Sequence, residues 1–191
     1  MPVAYSTLRK AGFNKCPQPL TCIMSPEYRA FRYIPCPAAH VHIGHPDNIR
    51  LYNKSETLWK IPSLTLSAPD DVLGEDIILA SDPRLPKDRP GRGPGAFSEL
   101  LYPVRIPSIH RLTDAYILLY VGIRNKGSSM GWGGLLTYIS EYVDGDGYLD
   151  VNRLEPSCRR FWQDYKPGRI PMAQLLDTLE SDLAAENSSV Q

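Results

Sequence analysis

The sequence predicts a β-rich domain, a sandwich or barrel of short strands with one or two helices packed at its C-terminal end, in the all-β to α+β range. Three observations predict it. Of the 18 prolines, 15 lie at or before Pro107, and a residue that removes a backbone donor and blocks the helix interior keeps long helices out of that part. Between the prolines run short segments rich in β-branched and aromatic residues, which suit a pleated, half-buried surface. After Pro156 the pattern changes to apolar residues at helical spacing.

Each element follows from its residues. Positions 1–27 read as an N-terminal extension, and 28–153 as the β-rich domain. Strands are expected at 28–34, 39–43, 49–52, 57–61, 76–80 and 100–106, a spacing that suits a sandwich or barrel. Positions 81–95 offer almost nothing to anchor a core, and they read as an exposed, mobile loop whose Arg84, Lys87, Arg89 and Arg92 are partly offset by Asp82 and Asp88. Positions 115–123, Ala-Tyr-Ile-Leu-Leu-Tyr-Val-Gly-Ile, read as a central strand apolar on both faces. Positions 135–143, with Thr, Tyr, Ile and Val, are expected to form a hairpin with 148–151 across the turn Asp144-Gly-Asp-Gly147. That turn needs no calcium, because neither register of its acidic residues fills a calcium loop. Positions 154–186 read as helices packed on the β-rich domain. The first opens at Pro156, a residue tolerated in a first turn, and the second sets Met172, Leu175, Leu176, Leu179 and Leu183 on one stripe. Positions 187–191 are a polar tail.

Composition narrows the function classes. The 21 basic and 21 acidic side chains cancel, so the basic surplus needed to grip nucleic acid or an anionic membrane is missing. The longest strongly apolar stretch, 115–123, is about half of what a bilayer-spanning helix needs. The first ten residues hold no apolar core of the kind a secretion signal requires. These features predict a soluble, intracellular, cytoplasmic protein with reduced thiols. The eleven tyrosines and three tryptophans supply aromatic anchors of the kind that interfaces favour. The favoured reading is therefore a non-catalytic structural or protein-interaction subunit, coat- or matrix-like. It would self-assemble as a homo-oligomer or dock on a protein partner, and it would need no cofactor.

Four cysteines, Cys16, Cys22, Cys36 and Cys158, and four histidines bear on metal chemistry. Cys36-Pro-Ala-Ala-His40 has the Cys-x3-His step of some structural zinc sites. Cys16 and Cys22 are too widely spaced for the two-residue knuckle that presents both thiolates to one ion, so the cysteines read as buried, unligated thiols. On a strand, His40 and His42 share one face, a geometry that suits a common ion. The segment His40-Val-His42-Ile-Gly-His45-Pro-Asp47 resembles the metal-binding segment of metallo-β-lactamase-like hydrolases, with Gly44 where that family has aspartate. It also resembles the histidine-triad nucleotide hydrolases and the cupins. A histidine-cluster metal-dependent enzyme using His40, His42 and His45 is accordingly one alternative.

The other alternative is a small serine hydrolase. Ala38-Ala39-His40 is similar to the Ala-Ala-His of chymotrypsin-like proteases, and Asp76-Ile-Ile-Leu79 is similar to their Asp-Ile-Ala-Leu. Gly127-Ser-Ser129-Met-Gly131 supplies a serine between glycines. The resemblance implies that Ser129 attacks a carbonyl, His40 takes its proton and Asp76 fixes the imidazole tautomer. Met130 stands where that family has glycine after the serine.

Overall fold

The computed structural model describes residues 2–16, 22, 37–43, 48–61, 74–90, 95–101, 103–122, 130–166 and 168–188. In chain order they form α1 (Pro2–Lys10), β1 (Asn14–Lys15), β2 (Ala39–His42), β3 (Asn48–Leu51), α2 (Lys54–Thr57), β4 (Ile77–Leu79), β5 (Arg105–Pro107), α3 (Ile109–Gly122), α4 (Met130–Ile139), α5 (Pro156–Tyr165) and α6 (Met172–Ser188). The β-sandwich or barrel is overturned: about 51% of the described residues are helical and only 12% are strand. The strands make two small antiparallel sheets, β1-β2-β3 and β4-β5. Among the described residues no helix is long and apolar enough to cross a membrane.

The expected strands at 39–43, 49–52 and 76–80 correspond to β2, β3 and β4, while 100–106 shrinks to β5 at its far end. Residue 57 instead ends α2, and 28–34 lies outside the described residues. The expected central strand at 115–123 is the largest error, because residues 115–122 belong to α3 and 123 lies outside the described residues. A fully buried helix and a fully buried strand are equally apolar, so periodicity alone cannot separate them. The distinction lies in the four polar residues just upstream. His110, Thr113 and Asp114 are buried on the same helix, and Arg111 is half-buried beside them.

The expected hairpin at 135–151 is likewise a helix end. Chain 130–139 coils as α4 despite three glycines, and its last turn widens into a π turn over Ser140–Asp144. Glycine costs a helix about 1 kcal/mol against alanine. Gly133 lies against Tyr120 of α3, where a Cβ would meet the ring at 3.4 Å, an ordinary contact. Gly147, at φ 80°, closes the turn. Its N–H donates to the Asp144 carbonyl at 2.9 Å and the Tyr148 N–H donates to the Val143 carbonyl at 3.0 Å, the paired bonds of a Schellman cap. A glycine in left-handed conformation serves a hairpin turn and a helix cap equally well. The turn was therefore legible but its neighbours were not.

The helices α5 and α6 form where the sequence places them, but they pack on α3 and α4 and not on a β-rich domain, and α6 runs on to Ser188 through the start of the expected tail. Together with α3 and α4 they enclose one core, which includes Ile117, Leu136, Phe161, Trp162, Leu176 and Leu179. All of its residues fall between Ile109 and Leu183. At the edge of the core Trp162 Nε1 donates to Asp144 Oδ2 at 3.0 Å. Lys166 Nζ lies 2.8 Å from the same oxygen.

A charged cluster ties α3 to its surroundings. Arg111 donates through Nε to Asp76 Oδ1 at 2.7 Å and through Nη1 to Asp114 Oδ2 at 3.3 Å, and it also pairs with Glu155. Asp114 is 1% exposed and accepts the Glu155 N–H at 3.2 Å. Burial pushes its carboxyl up to about 6. The same burial, with the Asp114 carboxylate beside it, raises the Cys158 thiol far above the range where it would ionise.

A pH effect follows. Between pH 4 and 6 the folded Asp114 keeps a proton that the unfolded chain has released, so this group's contribution to stability declines as pH rises through that window. His110 works in the opposite sense. Burial holds it below its ordinary value, so the unfolded chain binds its proton first as pH falls through 6.5. Urea unfolding of the wild type and Asp114→Asn at pH 4 and 6.5 isolates the aspartate. Relative to the variant, the wild type should lose on the order of 2 kcal/mol between the two values. A difference that does not change with pH would mean that Asp114 ionises like an exposed carboxylate.

Candidate metal centre

The first sheet brings a set of metal-ligating side chains to one point. In β2, His40 and His42 alternate with Val41, which is 0% exposed, so the two imidazoles share the face opposite the buried valine. β3 fixes β2 from one side, with His40 opposite Arg50 and His42 opposite Asn48. β1 holds the other side, with Asn14 opposite His42 and Lys15 opposite Val41. Cys16 follows one step further along that ladder. Alternation puts it on the face of Asn14, and hence on the face of the two histidines.

Cys22 completes the set. Its Sγ lies 3.4 Å from His40 Nε2 and 3.7 Å from His42 Nε2. One ligand atom from each of Cys16, Cys22, His40 and His42 falls within 4.8 Å of the other three. A tetrahedral ion with Zn–S of about 2.3 Å and Zn–N of about 2.0 Å holds its ligand atoms roughly 3.3–3.8 Å apart. Both Cys22 contacts fall in that range. The two imidazole planes cross at 71° with centroids 5.3 Å apart, so the rings converge through their edges without stacking.

His40 offers a neutral imidazole. Burial, then His42, then Arg50 push His40 below its ordinary value, so its ring is neutral at pH 7 and a ring nitrogen lone pair is available. Cys22 is buried and Cys16 half-buried, and both are thiols rather than a disulfide. A donor set of two sulfurs and two imidazole nitrogens favours zinc among the common metals. All four positions are taken by side chains, as in structural sites, whereas catalytic zinc keeps one position for water or substrate.

The residues singled out in the sequence are placed as follows. His40 and His42 belong to this cluster. Asp76, at the start of the second sheet, is bound by Arg111, and among the described residues no hydrogen bond joins it to His40. His45, Cys36 and Ser129 lie outside the described residues. The members that sequence reasoning missed are Cys16 and Cys22, because a knuckle search looks for ligands close in sequence. The signal available was subtler. A His-x-His strand offers two ligands on one face, and any cysteine on a paired strand in the matching register can reach them. Comparison with known protein families, with curated proteins and with solved structures finds no match for the chain.

Proposed function

We propose that the chain is a zinc-stabilised, non-catalytic interaction protein. The convergence of Cys16, Cys22, His40 and His42 within 4.8 Å carries this reading. With four protein ligands the ion has no open coordination position, so it would staple the small sheet together and not activate water. Interaction is supported by apolar side chains left at the surface. Phe97, Leu100, Leu101 and Val104 are exposed within eight residues. Leu135, Tyr138 and Tyr142 form an exposed stripe at i, i+3 and i+7, with the two tyrosine rings 4.7 Å apart. Exposed apolar surface that is contiguous in this way marks contact sites more often than isolated residues do.

The serine-hydrolase alternative competes for the same histidine. An imidazole nitrogen that ligates zinc cannot also take the proton of Ser129, so the two readings separate cleanly. After exhaustive dialysis, elemental analysis should find one zinc per chain, and Cys22→Ser and His42→Ala should each lose it. Cobalt should substitute for zinc and give a thiolate-to-metal charge-transfer band that vanishes in Cys22→Ser. A metal-free chain, or one labelled by a fluorophosphonate at Ser129 in a His40-dependent way, would overturn the proposal. Light scattering on the metal-loaded protein then reads whether the partner is a second copy of the chain.

A further inference from the structure

A second feature, independent of the metal ligands, is a cavity of about 620 Å³ between the first sheet and the helices. Its walls come from β3 and the segment after it, from Arg105 and Pro107, and from α3 and α4. Leu58, Ile61, Leu119, Trp132 and Leu135 make its body apolar. Arg50, Lys54 and Arg105 also line it, all three half-buried, and no carboxylate does among the described residues. The Arg50 guanidinium is held by Asn48, which accepts from Nε at 2.8 Å. Tyr52 and Tyr116 add phenol hydroxyls.

Small-molecule sites are concave and mostly apolar, run from roughly 300 to 1,000 Å³, and carry a few polar groups that fix orientation. A cavity with cations and no carboxylate among its described lining residues selects against a cationic ligand and for an anionic one. We propose that this cavity binds a small amphipathic anion, with an apolar chain against Leu119 and Trp132 and a carboxylate facing Arg50 and Lys54. A free aliphatic carboxylic acid of medium length has this chemistry.

The test uses dodecanoate, below its micelle concentration, added to the full-length protein with its metal content measured on the same sample. Trp132 fluorescence reports occupancy, since Trp162 is buried in the helical core and Trp59 does not line the cavity. The expected result is saturable binding of one dodecanoate per chain. Dodecanol and dodecyltrimethylammonium should each bind at least tenfold more weakly. Leu135→Asp adds a carboxylate at an exposed rim position, where a charge does not threaten folding, and should weaken dodecanoate at least tenfold. Lys54→Gln should weaken it several-fold. Absence of saturable binding, equal affinity for dodecanol, or unchanged affinity in both variants with native circular dichroism would overturn the proposal. Because the metal content is read separately, failure here is distinguishable from failure of the zinc reading.

Discussion

Removal of the metal by a strong chelator is expected to unfold the sheet that carries it and to leave the helical core standing. β1, β2 and β3 are two to four residues long, below the usual strand length of about five to six residues. None of their residues belongs to the core between Ile109 and Leu183. Apart from the packing of the buried Val41, the proposed ion would then be their main support. In small zinc-binding peptides metal binding contributes about 10–16 kcal/mol at neutral pH, as large as the whole stability of a typical domain. Ligands must also shed protons to bind, so the same loss should occur on acidification. Amide hydrogen exchange gives the most local reading. In the holoprotein the Val41 and Ile49 amides, paired across β2 and β3, should be protected. With chelator, or in Cys22→Ser, their protection should collapse while that of Leu118 and Leu179 remains. Unchanged protection at Val41 would show that the sheet is held by other contacts, and simultaneous loss at Leu118 would show that the whole molecule is one cooperative unit.

The parts of the fold legible in the sequence were those whose pattern is local. Pro156 at a first turn and the stripe through Leu175, Leu176 and Leu179 define α5 and α6 without reference to the rest of the chain. β2 and β3 were legible because short β-branched runs bounded by glycine and proline in the sequence have few other uses. α3 was not, because its core half, Ala115 to Val121, is apolar on every side. What makes it a helix is the tertiary environment that surrounds it. α4 was hidden for a related reason: its three glycines argue against a helix locally, and it is the packing of Leu136 and Ile139 into the core that holds it. The metal cluster shows the same division. His40 and His42 are a local pair and could be read directly. Cys16 reaches them through strand register and Cys22 through the fold of the connecting chain, neither of which is a spacing rule. Asp76 looked like a catalytic acid from its neighbours in sequence, yet its partner is Arg111, 35 residues away.

The second large effect is expected at Trp162, the largest fully buried side chain, at 1% exposure. It packs within the core formed by α3, α4, α5 and α6, with its ring 5.6 Å from that of Tyr165. Trp162→Ala removes that volume from walls that can relax only partly, and substitutions of this kind cost about 3–5 kcal/mol. Against a total of roughly 5–15 kcal/mol, the variant should melt far below the wild type or fail to fold at growth temperature. Trp162→Phe separates the two contributions, since phenylalanine keeps most of the apolar contact and loses the bond from Nε1 to Asp144. The carboxylate left behind still has Lys166 beside it, so that loss should cost only about 1–2 kcal/mol. Urea unfolding with equal m-values across the three proteins gives both differences directly. If phenylalanine proves as damaging as alanine, the hydrogen bond to the turn that ends α4 matters more than the packing. The link between α4 and α5 would then be the weak point of the core.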